Sequence, residues 1–89
     1  MDAYMLVQTQ IGQSREVARE IGRLEGVVYA EPITGPYDVV ARVRGRDMFS
    51  LNGTTLAAIQ EIPGVTRTVT CPISSVPELT TAATAATSA

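Results

Sequence analysis

Tyr37 and Asp38 stand side by side behind Gly35 and Pro36, and the run Val39-Val40-Ala41-Arg42-Val43 follows at once. Gly frees the backbone and Pro withholds an N–H, so the first pair breaks whatever precedes it. The run behind is rich in β-branched residues and reads as a strand. A phenol and a carboxylate are thereby set at the mouth of a sheet. The carboxylate can accept charge-assisted hydrogen bonds, roughly twice as strong as neutral ones. The phenol can pack on an apolar group or donate through its hydroxyl. Together they could in principle move a proton. Plainer readings stay open beside these: Asp commonly bonds its own turn backbone, and Tyr packs at sheet edges.

The other groups with chemistry are sparse. Arg42 and Arg44 alternate with Ala41 and Val43, which suits a solvated face, an acidic ligand or acids across an interface. Thr66, Thr68 and Thr70 alternate with Arg67, Val69 and Cys71 near the end of the chain. The single Cys71 follows the apolar positions and is expected to be a small core residue. There is no His, and no phosphate-binding loop or metal-ligand cluster is written in the sequence. These residues predict neither an enzyme nor a cofactor nor a metal.

The chain has 89 residues, with seven Arg, no Lys and a net charge of −2. That balance gives no basic footprint for direct nucleic-acid binding. No apolar run approaches the roughly 20 residues of a membrane span, and no signal peptide is apparent, which suits the cytoplasm. A domain of this length buries only about 60–65% of its unfolded surface, so a lone monomer is marginal. With one cysteine no disulfide network can help. Homo-oligomerisation is the expected remedy.

The elements that position the turn can be read in order. Ala3–Thr9 is a strand with Ala3, Met5 and Val7 on one face and Tyr4 and Leu6 on the other; both faces are apolar, so both are expected to be covered. Ser14 is a plausible N-cap. Val17, Ile21 and Leu24 line one side of a helix that stops at Gly26. Val27–Ile33 is a strand expected to carry Val27, Tyr29 and Ile33 on one side, with Pro32 marking an edge or an end. Asp47 caps a second helix with the stripe Leu56, Ile59 and Ile62, joined by Met48 and either Leu51 or Asn52. Asn52-Gly53 inside it predicts a kink. Pro63-Gly64 stops that helix, and Val65–Ile73 is the last strand.

Ile21-Gly22-Arg23-Leu24-Glu25-Gly26-Val27 echoes Ile59-Gln60-Glu61-Ile62-Pro63-Gly64-Val65. Each stretch ends a helix at Gly and enters a strand at Val. Two tandem halves give βαββαβ, a ferredoxin-like α+β fold. Its four-stranded antiparallel sheet carries two helices on one face. The other face stays bare. It is expected to hold Tyr4 or Met5, Val40 or Val39, and the threonine row. A bare apolar sheet marks an interface, so a dimeric α/β sandwich is expected. Residues 1–78 form the domain. Residues 79–89, Leu79 followed by Thr, Ala and Ser alone, are expected to be a disordered tail.

Leu24-Glu25-Gly26-Val27, Gly35-Pro36-Tyr37-Asp38, Asp47, Ile62-Pro63-Gly64-Val65 and Thr68-Val69-Thr70 occur in this order and spacing. Over roughly Ala3 to Val76 the chain resembles the effector-binding, or RAM, domain of the Lrp/AsnC transcription regulators. Regulators of that family carry an N-terminal helix-turn-helix. This sequence starts at the first strand, so the resemblance is to a stand-alone form, not expected to bind DNA by itself. The resemblance implies dimers by sheet-to-sheet packing, tetramers or octamers of those dimers, and a small effector, typically an amino acid, held between dimers. Carried over, Gly35, Tyr37 and Asp38 form one wall of that site. Thr68 and Thr70 of a neighbouring dimer form the other.

Asp38 would then accept the ammonium of an amino acid. Threonine hydroxyls would hold its carboxylate, and Tyr37 or Tyr29 would pack on its side chain. Two other functions remain. The chain can serve as a structural adaptor that co-assembles with a full-length Lrp/AsnC regulator. Less favoured is a cofactor-free enzyme of the dimeric α/β barrel type, which needs a roomy aromatic cavity that one Phe and no Trp hardly supply.

Overall fold

The computed structural model describes residues 1–73. Its order is β1 (Asp2–Thr9), α1 (Ser14–Gly22), β2 (Val27–Pro32), β3 (Val39–Arg44), α2 (Met48–Leu51), a π-helical segment (Asn52–Leu56), α3 (Ala57–Gln60) and β4 (Val65–Pro72). The four strands form one antiparallel sheet in the order β2-β3-β1-β4. This is the ferredoxin-like α+β arrangement. The expected tail at 79–89 lies outside the described residues.

The core lies between the helices and one face of the sheet. Ala3, Met5 and Val7 of β1 and Val39, Ala41 and Val43 of β3 meet Val17, Ala18 and Ile21 of α1, and Leu51, Leu56 and Ile59 of the second crossover. All twelve are buried, which is the hydrophobic drive for the fold. Within one chain β1 is covered on one face; Tyr4 and Leu6 on the other face are half-buried.

The second crossover resolves the choice between Leu51 and Asn52. Leu51 is buried and Asn52 exposed. Leu51 and Leu56 are five residues apart, a spacing that one α-helical stripe does not hold. The i→i+5 turn brings both to the core. It falls where Asn52-Gly53 weakens the helix. Thr54 donates its hydroxyl to the Ser50 carbonyl at 2.8 Å, and Thr55 donates to the Glu25 carbonyl at 2.9 Å. Asp47 caps α2 by accepting from the Ser50 N–H at 2.8 Å. At α1, Gln13 rather than Ser14 occupies the cap position, without a side-chain bond.

Two expectations about faces are corrected. Val27 and Tyr29 fall on opposite faces, because Val27 pairs with Val43 while Tyr29 pairs with Arg42. Val28 is the extra residue of a bulge, and a bulge breaks the alternation by one. The threonine row is also not on the bare face. Thr68 pairs with Val7 and Thr70 with Met5, both of them helix-side residues. Arg67, Val69 and Cys71 take the bare face instead, and Cys71 is exposed, not in the core.

Candidate functional site

The Gly35–Asp38 turn closes the β2–β3 hairpin. The Ile33 N–H donates to the Asp38 carbonyl at 2.8 Å, and the Asp38 N–H donates to the Val7 carbonyl at 2.9 Å. Gly35 is exposed, with φ +145°, a conformation that glycine adopts without strain. Tyr37 and Asp38 are half-buried.

Asp38 does structural work. Its Oδ2 accepts from the Thr9 N–H at 2.8 Å. The β1–β3 ladder ends at Val7 and Val39, so Thr9 has no strand residue opposite it on that side. The carboxylate takes the place a strand carbonyl would have had. Gln8 Nε2 adds a bond to the Pro36 carbonyl at 3.0 Å. Gln8 and Thr9 were not singled out by sequence. The available signal was Gln8, a polar residue interrupting an apolar alternation.

Within one chain the structure brings Gly35, Tyr37 and Asp38 together and leaves the other candidates apart. Thr68 and Thr70 lie on β4, separated from β3 by β1. Thr68 Oγ1 accepts from Gln60 Nε2 at 3.2 Å, and the Thr70 hydroxyl lies 3.0 Å from Met5 Sδ. Tyr29 lies on the bare face, paired with Arg42.

Sequence reading also missed a charge cluster on that bare face. Arg42 Nε and Nη2 approach Asp2 Oδ2 at 2.9 and 2.8 Å. Arg44 Nε and Nη2 bond Oδ1 and Oδ2 of the same carboxylate at 2.8 and 3.0 Å. The Arg42 guanidinium sits 5.6 Å from the Tyr4 ring centre, and its Nη1 donates to the Tyr4 hydroxyl at 3.4 Å. Hydrogen bonds from Arg44 and then Arg42 hold the Asp2 carboxyl well below its ordinary range, against the opposing effect of burial. Asp2 in turn raises both guanidiniums. Burial beside Tyr4 pushes the Tyr29 phenol up.

A concavity of about 470 Å³ opens at the far end of the sheet from the turn. Leu24, Gly26, Gly45, Leu51, Thr55 and Ala58 are among its walls. Two glycines admit its packing: a Cβ on Gly26 would lie 2.5 Å from Thr55 Oγ1, and one on Gly45 would lie 2.6 Å from Leu51 Cγ.

A split-βαβ sheet with helices on one face and a hairpin turn pinned by a carboxylate define a small ferredoxin-like α+β domain. The family model for the Lrp/AsnC ligand binding domain matches residues 2–83, and the chain belongs to that family. It is 36% identical over 70 residues to the HTH-type transcriptional regulator FL11 of Pyrococcus horikoshii, covering 79% of this chain and 46% of that protein. The chain thus spans about half the length of the curated relatives it matches. The crystal structure of TTHA0845 from Thermus thermophilus superposes with a TM-score of 0.76 at 30% identity, covering 85% of this chain and 96% of that one. The transcriptional regulator NMB0573 of Neisseria meningitidis, solved as a complex with L-Met, shares the fold with a TM-score of 0.72. Its identity is 18%, over 85% of this chain and 51% of that one. Among the described residues no helix is long and apolar enough to cross a membrane.

Proposed function

We propose that the chain is a cytoplasmic, non-enzymatic sensing module that binds an amino acid, or a closely related zwitterion, between dimers of itself. The observation that carries this reading is the turn. Asp38 is fixed by the Thr9 N–H through Oδ2, so its carboxylate is held in one orientation at the sheet end. A fixed carboxylate suits an ammonium group, because the ordering cost is met in folding rather than in binding. Tyr37 offers an aromatic surface beside it. Thr68 and Thr70 lie on β4, across β1 from the turn, and in this reading they serve the site from a neighbouring dimer. The L-Met complex of the Neisseria regulator supports an amino acid as the ligand class, and membership of a regulatory family supports a non-catalytic role.

The test is isothermal titration with each of the twenty amino acids, on the wild-type chain and on Asp38→Asn. Asparagine keeps an oxygen for the Thr9 N–H but loses the charge. Micromolar to millimolar binding that weakens at least tenfold in Asp38→Asn is the expected result. Equal affinity in both proteins, or heat from none of the twenty, defeats the reading.

A further inference from the structure

The 470 Å³ concavity at the far end of the sheet lies between the end of α1 and the second crossover, away from the Gly35–Asp38 turn. Its polar groups are largely spent. Thr54 gives its hydroxyl proton to the Ser50 carbonyl at 2.8 Å, and Thr55 gives its own to the Glu25 carbonyl at 2.9 Å. The Arg44 guanidinium is taken by Asp2. What the walls still offer is hydrocarbon, chiefly from Leu24, Leu51 and Ala58. A polar metabolite would leave water there for few partners, which is costly. An apolar stretch of chain would gain by burying its side chains.

The chain itself brings such a stretch to this end of the sheet. β4 runs from the hairpin end toward the concavity, and its last pairing is Pro72 with Ala3. The Ile73 N–H then donates to the Asp2 carbonyl at 3.0 Å, and Asp2 pairs with Arg44 on its other side. Ile73, Asp2 and Arg44 thus stand abreast on three neighbouring strands. Two strand spacings, about 10 Å, separate Ile73 from Arg44 and Gly45 at the concavity's edge. The sequence continues Ser74-Ser75-Val76-Pro77-Glu78-Leu79, apolar at Val76, Pro77 and Leu79. Six residues can span about 20 Å. Pro77 favours polyproline II, in which residues three apart share a side, so Val76 and Leu79 can face inward together while Glu78 stays in water. The family model runs to residue 83, so the sequence pattern of the domain does not stop with β4.

We propose that residues 74–79 fold back across the end of the sheet and seat Val76 and Leu79 in this concavity. The tether decides the occupant. A segment joined to the domain by a few residues meets the concavity at about millimolar effective concentration, which a separate partner must match to displace it. The proposal is independent of what the hairpin turn binds, since the two sites lie at opposite ends of the sheet.

Nuclear magnetic resonance on the full chain tests this. Backbone order parameters at residues 76–79 are expected near 0.85, the rigid value, with methyl contacts from Val76 and Leu79 to Leu51 and Ala58. Leu79→Asp removes an apolar anchor without touching any described residue. Ala58→Glu puts a charge on the concavity wall. Each is expected to drop residues 76–79 below 0.6 while β1 keeps its order. Values below 0.6 in the wild type, or order that survives both substitutions, overturn the proposal. Methyl contacts that appear only between differently labelled copies in a mixed sample also overturn it, because the occupant is then a second chain.

Discussion

Asp38 holds two positions at once, one in the fold and one in the proposed site, and substitution can separate them. Asp38→Ala removes the acceptor of the Thr9 N–H and is expected to destabilise the chain by about 1–3 kcal/mol. Asp38→Asn should retain most of that stability, as read by thermal melts of the two variants side by side. Asp2 yields a pH dependence. Its folded carboxyl sits below the ordinary value of 3.8, so its contribution is fully present above that pH. It drains away as the pH falls further, through the lowered value, and the unfolded chain takes up the proton first. Asp2→Asn is therefore expected to flatten the acid limb of the stability curve below about pH 4 while leaving the neutral limb parallel to wild type. Tyr37-Asp38 was legible in the sequence because a turn signal and a strand signal abut there. The partner of Asp38 was not, because a hydrogen bond 29 residues away in the chain leaves no local pattern.

Helix ends were legible for a steric reason. Gly26 and Gly64 adopt φ +90° and +97°, where L side chains are strained. Gly26→Ala is expected to cost about 1–3 kcal/mol by chemical denaturation, since the new Cβ also meets Thr55 Oγ1. The faces of β2 and β4 were harder. A period of two assigns sides only while the ladder is regular, and Val28 interrupts it. In β4 the alternation of Thr68, Val69 and Thr70 is plain in the sequence, but not which set turns inward. Threonine has both a methyl and a hydroxyl, and it fits a helix-covered edge when Gln60 meets the hydroxyl. The kink expected at Asn52-Gly53 is a π turn because two leucines five apart must share one core.

At the scale of the molecule, order and spacing of weak signals were enough for the family and the fold. The bare face was legible as a consequence of topology, while its charge layout emerged only with strand pairing. If copies associate through that face, folding and association are linked by mass action. The melting temperature is then expected to rise with protein concentration over the micromolar range, as read by calorimetry, and a flat dependence would argue for a self-sufficient monomer. The lone thiol gives a second handle. Cys71 is exposed in the single chain and shares the face with Tyr4. Its alkylation should slow as concentration increases.

Val28 has a further consequence, for how this chain can change length. Val27 stands opposite Val43 and Tyr29 opposite Arg42, so Val28 between them is one residue more than the partner strand requires. Deleting Val28 would leave Val27 and Ala30 toward the helices and Tyr29 and Glu31 outward, as they already are. Deleting Ala30 instead would swap inside for outside along part of the strand. A one-codon loss is therefore expected to be tolerated at Val28 and to abolish folding at Ala30, so β2 holds a spare link at which related chains can shorten without turning the sheet inside out.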